Sequence, residues 1–143
     1  MRPYTTRIPV ADSYLQALGQ VIYNFATTQW NVVYLGSLAA PSFVSRGDVD
    51  EIGAVARDFN LLSETGRFPE FAAISTRFSE VTKRYMNLLH TTGLTASDGE
   101  QLLGSSDAGN IQWTEADVWT LANDLQTLDI DSNDLFYKLN GNS

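Results

Sequence analysis

Apolar residues recur along this chain in steps of three and four, which is the spacing of one face of an α-helix. The clearest run consists of Phe71, Ile74, Phe78, Val81, Tyr85 and Leu88. Pro69 fits the first turn of the helix that carries this run, because the N–H that proline lacks has no partner there. Gly93 is placed to end the helix just after His90, since glycine readily takes the left-handed conformation of a helix end.

A second run predicts a long first helix. Its members are Leu15, Leu18, Ile22, Phe25, Val32 and Leu35. Ser13 and Gln16 have the spacing of a capping box, so the helix is predicted to begin near Ser13. The β-branched residues before Tyr34 favour a strand locally, but no turn signal isolates them. The helix is therefore expected to continue until just before Pro41.

Two further runs complete the pattern. One consists of Ile52, Val55, Ala56, Phe59 and Leu62, and the other of Val118, Leu121, Leu125, Leu128, Leu135, Phe136 and Leu139. Asp48 and Glu51 mark the start of the first of these helices, and Gly66 is placed to stop it. Thr114 and Asp117 mark the start of the last helix.

The segment from Thr91 to Gln112 is rich in Ser, Thr, Gly and Asp and is predicted to be a loop. Nothing in the chain indicates a repeat or a linker between domains, so residues 1–143 are expected to form one domain. Four helices with short connections predict an all-α fold, an antiparallel four-helix bundle.

Composition adds a prediction about association. Hydrophobic residues make up 43% of the 143 residues, which is enough to fill a core. Charged residues make up only 18%, fewer than a typical domain carries, so part of the surface is expected to be hidden in a homodimer. The net charge of −8 repels nucleic acid and anionic membranes at long range.

Other classes of function are excluded by residue usage. The chain has no cysteine and one histidine, which excludes thiol catalysis, cysteine-ligated metals and multi-histidine metal sites within one chain. No metal and no cofactor is therefore expected. The longest mainly apolar stretch, residues 21–40, contains too many polar residues for a membrane span, and residues 1–10 lack the apolar segment of a signal peptide. A cytoplasmic protein without membrane contact is the expectation.

The single histidine, His90, is the first candidate for chemistry, because its charge changes near neutral pH. On a helix that advances about 100° per residue, Lys83, Asn87 and His90 share a stripe nearly opposite the apolar one. His90 is therefore predicted to lie outside the core. Arg84 borders the apolar face, about a third of a turn away from His90. Two interpretations stay open: a helix-end cation favoured by the helix dipole, and a group that moves a proton in catalysis.

The segment Arg84-Tyr85-Met86-Asn87-Leu88-Leu89-His90 resembles a motif of HEPN domains, in which arginine and histidine are separated by four to six residues. These domains are helical bundles that often act as ribonucleases or as toxins of toxin–antitoxin systems. The wider chain resembles a set of uncharacterised bacterial helical proteins. The matching positions are Leu18-Gly19, Phe25, Gln29-Trp30, Asn87 to His90, Thr95, Asp98-Gly99 and Gln101-Leu102.

The resemblance implies metal-independent cleavage of RNA, in which the ribose 2′-hydroxyl attacks the adjacent phosphate. His90 would move the proton, Arg84 would stabilise the charge that builds on the phosphate oxygens, and Asn87 would orient either group. In the family such sites form between two subunits, so the resemblance also implies a homodimer.

Two positions differ from the family pattern and motivate an alternative. Tyr85 follows the arginine where a polar residue is usual, and Gln29 stands where an acidic residue precedes the tryptophan. The alternative is a non-catalytic interaction or scaffold module, an antitoxin-like protein that keeps only the fold and binds a protein partner. A third interpretation, binding of a small molecule between the helices, has no residue that supports it.

Overall fold

The computed structural model describes residues 10–48, 51–96, 98–105 and 111–141, and in these residues it contains four α-helices and three strands. The helices are α1 (Asp12–Ser37), α2 (Ala54–Ser63), α3 (Phe71–Leu89) and α4 (Glu115–Leu139). A 3₁₀ helix, Pro41–Asp48, lies between α1 and α2. The strands are β1 (Thr92–Thr95), β2 (Gln101–Ser105) and β3 (Ile111–Trp113), which pair in that order as an antiparallel sheet.

The two long helices, α1 and α4, run parallel to each other. The Asn24 side chain donates a hydrogen bond to the carbonyl oxygen of Ala122, at 2.9 Å. One turn further along α1, the Thr28 hydroxyl shares its proton between the carbonyl oxygens of Asn24 (2.6 Å) and Leu125 (3.0 Å). Because the partners rise together in residue number, the predicted antiparallel arrangement is wrong for this pair.

The 3₁₀ helix packs against the ends of α1 and α2. Phe43 packs against Phe59 of α2, with ring centroids 6.2 Å apart, and lies so close to Gly36 that a Cβ there would be 2.6 Å from its ring. Arg67, just after α2, reaches the carbonyl oxygen of Ala39, just after α1, at 3.4 Å. The ends of α1 and α2 therefore lie together, and Phe43 of the 3₁₀ helix contacts both helices.

The apolar run of α3 is buried as predicted, from Phe71 to Leu88. The predicted run of α1 is wrong in part, since Leu15 and Ile22 are 52% and 55% exposed. The residues that α1 buries are Tyr14, Ala17, Val21, Asn24, Phe25, Thr28, Val32, Val33, Leu35 and Gly36. Helix α1 is apolar on two faces, so a stripe chosen from hydrophobicity alone mixes residues of both.

Of the helix-start signals predicted for α1, α2 and α4, one is confirmed and two are wrong. Thr114 and Asp117 form a capping box at the start of α4, as expected. Ser13 does not cap α1; its hydroxyl instead donates to the carboxylate of Glu115 at 2.6 Å. Helix α2 begins only at Ala54, after the left-handed Gly53 (φ 100°), and not at the predicted start near Asp48 and Glu51.

The helix-end signals were more reliable for α2 than for α3. Gly66 has the positive φ of 73° expected of a residue that reverses the chain after α2. Helix α3 ends at Leu89, and Gly93 lies within β1, so the prediction that Gly93 ends the helix is wrong by a few residues.

The segment predicted to be a loop forms the three-stranded sheet instead. The Asp98-Gly99 pair, with a φ of 88° at Gly99, turns the chain between β1 and β2 and was the sequence signal for a hairpin. The buried Tyr14 hydroxyl fastens the sheet to α1, since it accepts a hydrogen bond from the Leu103 N–H (2.9 Å) and donates one to the Trp113 carbonyl (2.6 Å). The sheet thereby closes the end of the helical core where α1 and α4 begin.

Replacing Tyr14 by phenylalanine is expected to lower the free energy of unfolding by about 1–3 kcal/mol, because two partly buried backbone groups lose their partner. Urea unfolding followed by circular dichroism measures this change. Tyr34→Phe is the matched control, since Tyr34 lies on the same helix and is 46% exposed. Equal stability of the two variants would show that the Tyr14 hydrogen bonds do not hold the sheet in place.

Candidate functional site

The predicted catalytic arginine is already bound to a carboxylate. Arg84 projects from α3 toward α4, where its Nη1 lies 2.6 Å from Oδ2 of Asp124. Two helical turns earlier, Arg77 makes the same kind of pair with Asp131, at 2.8 Å. These two pairs align α3 antiparallel to α4. The guanidinium of Arg84 therefore has a carboxylate partner within the chain, in a pair that is partly exposed to solvent.

His90 lies outside the core, as the helical spacing predicts. It is the exposed residue that caps the end of α3. Together with Asn87 and Thr91 it lines a surface cavity of about 270 Å³, whose other wall consists of Ile111 and Trp113 of β3. Asn87 and His90 are thus brought to one cavity.

Arg84 opens onto a neighbouring cavity of about 240 Å³, which it shares with Asp117 and Thr120 of α4. Ile111 and Trp113 line this cavity as well, so β3 borders both. Within one chain the structure therefore groups two of the three predicted catalytic residues and places the third on the next concavity. The second cavity has an acidic lining residue, and the partner of Arg84 is acidic too.

The two positions that differ from the family pattern have different surroundings. Tyr85 is 8% exposed and stacks on Phe25 of α1, with ring centroids 4.1 Å apart. It therefore contributes to the core between α1 and α3, which explains an aromatic residue directly after Arg84. Gln29 is half-buried on α1.

A surface that the sequence analysis missed lies on α1. Over its 26 residues this helix carries a single charged residue, Asp12, in its first turn. The side that faces away from the core exposes large apolar residues, which are Leu15 (52% exposed), Ile22 (55%), Tyr23 (66%), Trp30 (39%) and Tyr34 (46%). On a helical projection they fall within an arc of about 120°. The sequence signal was the absence of charge along so long a helix.

Beside this surface a groove of about 560 Å³ separates α1 from α4. Its apolar lining comes from Ala26 and Trp30 of α1 and from Ile130 of α4, which is 51% exposed. The amide of Asn31 donates to the carboxylate of Asp129 along the same groove. Apolar surface thus continues from α1 onto α4.

In the part of the chain that the structure describes, no three side chains of the types that ligate metals come together. None of the described helices is both long enough and apolar enough to cross a bilayer.

Burial raises the pKa of the Tyr85 phenol above its ordinary value of 10.0. The folded protein therefore keeps this proton at pH values where the unfolded chain releases it. The contribution of the neutral Tyr85 phenol to the free energy of unfolding is fully present below pH 10 and is lost as the pH rises through the folded pKa. Between about pH 8 and about pH 11, the free energy of unfolding in urea is expected to fall less in Tyr85→Phe than in the wild type. Tyr137→Phe, at a residue 55% exposed, is the matched control. An identical fall in all three proteins would contradict the assignment.

Comparison with known proteins finds no matching family model, no significantly similar curated protein and no significantly similar solved structure. No relative therefore assigns an activity or a partner to this chain. Its function has to be inferred from its own surface, charges and contacts.

Proposed function

We propose that this chain is a non-catalytic protein-interaction domain that binds through the outward side of α1. This surface, called the α1 face below, comprises Leu15, Gly19, Ile22, Tyr23, Ala26 and Trp30. The observation that carries the proposal is that the face is apolar and uncharged along most of a 26-residue helix. Polar residues normally occupy the solvent side of such a helix.

The area of the face supports this proposal. If a fully exposed aromatic residue presents roughly 150–250 Å², the four large side chains of the face together expose on the order of 400 Å². Patches of that size on a monomer often mark a binding surface. Removing this area from water on binding is favourable, in proportion to the apolar surface buried. A cytoplasmic setting for this interaction fits a sequence without cysteine.

The charges around Arg84, in the segment that resembles the HEPN motif, favour binding of protein over cleavage of RNA. Arg84 is the cation on which phosphate stabilisation would depend, and Asp124 holds it at 2.6 Å. Asp117 lines the same cavity as Arg84. A phosphate group would have to displace one carboxylate and approach another, in a chain whose net charge is −8.

A photo-crosslinking amino acid at position 22 tests the α1 face directly. We expect it to form a covalent protein adduct in cells that express the chain, because Ile22 lies at the centre of the face and is 55% exposed. The same amino acid at Ser79, exposed on α3, should form none. A second change, Trp30→Lys, should abolish the adduct at position 22. Absence of an adduct at position 22, or equal adducts at both positions, would refute the proposal.

A second candidate is the HEPN-like ribonuclease, acting as a homodimer. The observation in its favour is that Asn87 and His90 share a cavity whose β3 wall also borders the cavity of Arg84. In this mechanism the 2′-oxygen attacks phosphorus to form a cyclic phosphate, His90 takes its proton, the bond from phosphorus to the 5′-oxygen breaks, and the leaving 5′-oxygen takes a proton from water. Arg84, released from Asp124, would stabilise the phosphate oxygens.

An RNA-degradation assay separates the two candidates. We expect neither the wild type nor His90→Ala to degrade single-stranded RNA in the presence of a chelator, because Arg84 is paired and its surroundings are acidic. Circular dichroism checks that the variant is folded. Cleavage by the wild type that is lost in His90→Ala would favour the ribonuclease and overturn the proposal of a non-catalytic domain.

A further inference from the structure

Gly19 is a residue of the α1 face for which the single chain offers no packing reason. It lies in the interior of α1, where glycine weakens a helix relative to alanine. A Cβ built on Gly19 meets no atom within 4 Å, so nothing in the described chain excludes a side chain. The other glycine toward the end of this helix, Gly36, differs, since a Cβ there would lie 2.6 Å from the ring of Phe43. A glycine in open space on an apolar face is suited to the close approach of another molecule.

The order of large and small residues on the α1 face is self-complementary. When a second α1 is laid antiparallel to the first about a two-fold axis between residues 20 and 21, Ile22 comes to lie over Gly19 of the partner subunit. In the same register Leu15 lies over Ala26 of the partner subunit. Trp30 lies over Ala11 of the partner subunit, an exposed residue just before α1. Three of the four large side chains of the face thus lie over a small residue, which is the arrangement that lets two surfaces interdigitate, and the fourth, Tyr23, lies over Leu18 of the partner subunit.

Charge and area agree with this pairing. Two copies of a chain with a net charge of −8 repel each other, and the repulsion is least where charge is absent. Asp12 is the one charged residue of α1, and in this register it lies opposite Gln29 of the partner subunit. The four large side chains of the face expose on the order of 400 Å², about half of the roughly 800 Å² that each partner contributes to a standard interface.

The groove between α1 and α4 supplies a further part of the contact. In this register Leu15 of the partner subunit lies over Ala26, at the edge of the groove that Trp30 and Ile130 line. The groove has a volume of about 560 Å³, enough for a leucine side chain. The apolar residue Ile130, 51% exposed on α4, would then be covered by the second copy.

We propose that the chain forms a two-fold symmetric homodimer in which the α1 faces of two copies pack antiparallel, with Ile22 seated over Gly19 of the partner subunit. This inference rests on the proposed function, because it names a second copy of this chain as the partner of the α1 face. It has a consequence for the HEPN-like segment. Tyr85 stacks on Phe25, a buried residue outside the α1 face, so α3 packs on a different side of α1. Neither Arg84 nor His90 is therefore part of the proposed interface.

Filling the space above Gly19 tests the dimer without disturbing the single chain. Sedimentation equilibrium of the wild type is expected to give twice the chain mass of 15.8 kDa. Gly19→Gln should raise the dissociation constant by at least about tenfold, the loss expected when one central contact is blocked. Its helix content should stay the same or increase, because glutamine is a better helix former than glycine. Ala73→Gln, at an exposed position of α3, is the matched control and should remain dimeric.

Engineered disulfides test the register, because the chain has no cysteine of its own. Leu15→Cys combined with Ala26→Cys should give a covalent dimer under oxidation. The two positions are about 16 Å apart along one helix, too far for a bond within a chain. Each single variant should stay monomeric on a non-reducing gel, and so should the pair Leu15→Cys with Trp30→Cys, which belongs to a different register.

The outcomes separate this inference from the proposed function. A wild type that is monomeric at high micromolar concentration, or a dimer that Gly19→Gln leaves intact, overturns the homodimer. If the crosslinker at position 22 then captures only a different protein, the proposed interaction function is supported and the proposed homodimer is refuted. If position 22 yields no adduct at all, both fail. An adduct of twice the chain mass, together with the disulfide in the stated register, supports both.

Discussion

The parallel contact between α1 and α4 is the constraint on which the rest of this structure depends. Its centre contains polar groups that have to be matched, since the Asn24 amide and the Thr28 hydroxyl are buried and bond to carbonyl oxygens of α4. Leaving one such group without a partner costs about 1–3 kcal/mol, so a shift of one helix along the other is strongly disfavoured. These hydrogen bonds set the register of the two longest elements.

The rest of the architecture follows from that pairing. Because α1 and α4 run in the same direction, the chain has to reverse its direction between the end of α1 and the start of α4. The first reversal comes at the 3₁₀ helix. Helix α3 then returns antiparallel to α4, aligned by the pairs of Arg77 with Asp131 and of Arg84 with Asp124. The sheet closes the end where α1 and α4 begin, held by the Tyr14 hydroxyl.

The same constraint separates the two surfaces that bear on function. One side of α1 is taken up by α4 and by the aromatic contact with Tyr85, which leaves the opposite side apolar and open. The arginine of the HEPN-like segment lies on α3, and the histidine lies directly after this helix. Arg84 aligns α3 with α4 by binding Asp124. A residue used in this way is poorly placed for phosphate, which is why the interaction surface carries the proposed function.

Much of this protein could be predicted from local sequence. The four helices, the buried run of α3, the capping box of α4 and the position of His90 outside the core all follow from helical periodicity and from residues that act on their own neighbours. The hairpin at Asp98-Gly99 was missed, because the short strands beside this turn resemble a polar loop in composition.

What only the tertiary structure decided concerns relations between distant segments. The direction of α4 relative to α1 depends on which buried amide and hydroxyl find carbonyl partners about a hundred residues away, and no local pattern encodes that choice. The inward face of α1 was equally undetermined, because a helix that is apolar on two sides has no unique stripe. The partner of Arg84 was decided by the packing of α3 on α4. Local residues thus determined where helices form, and long-range packing determined how they face one another and which apolar surface was left exposed.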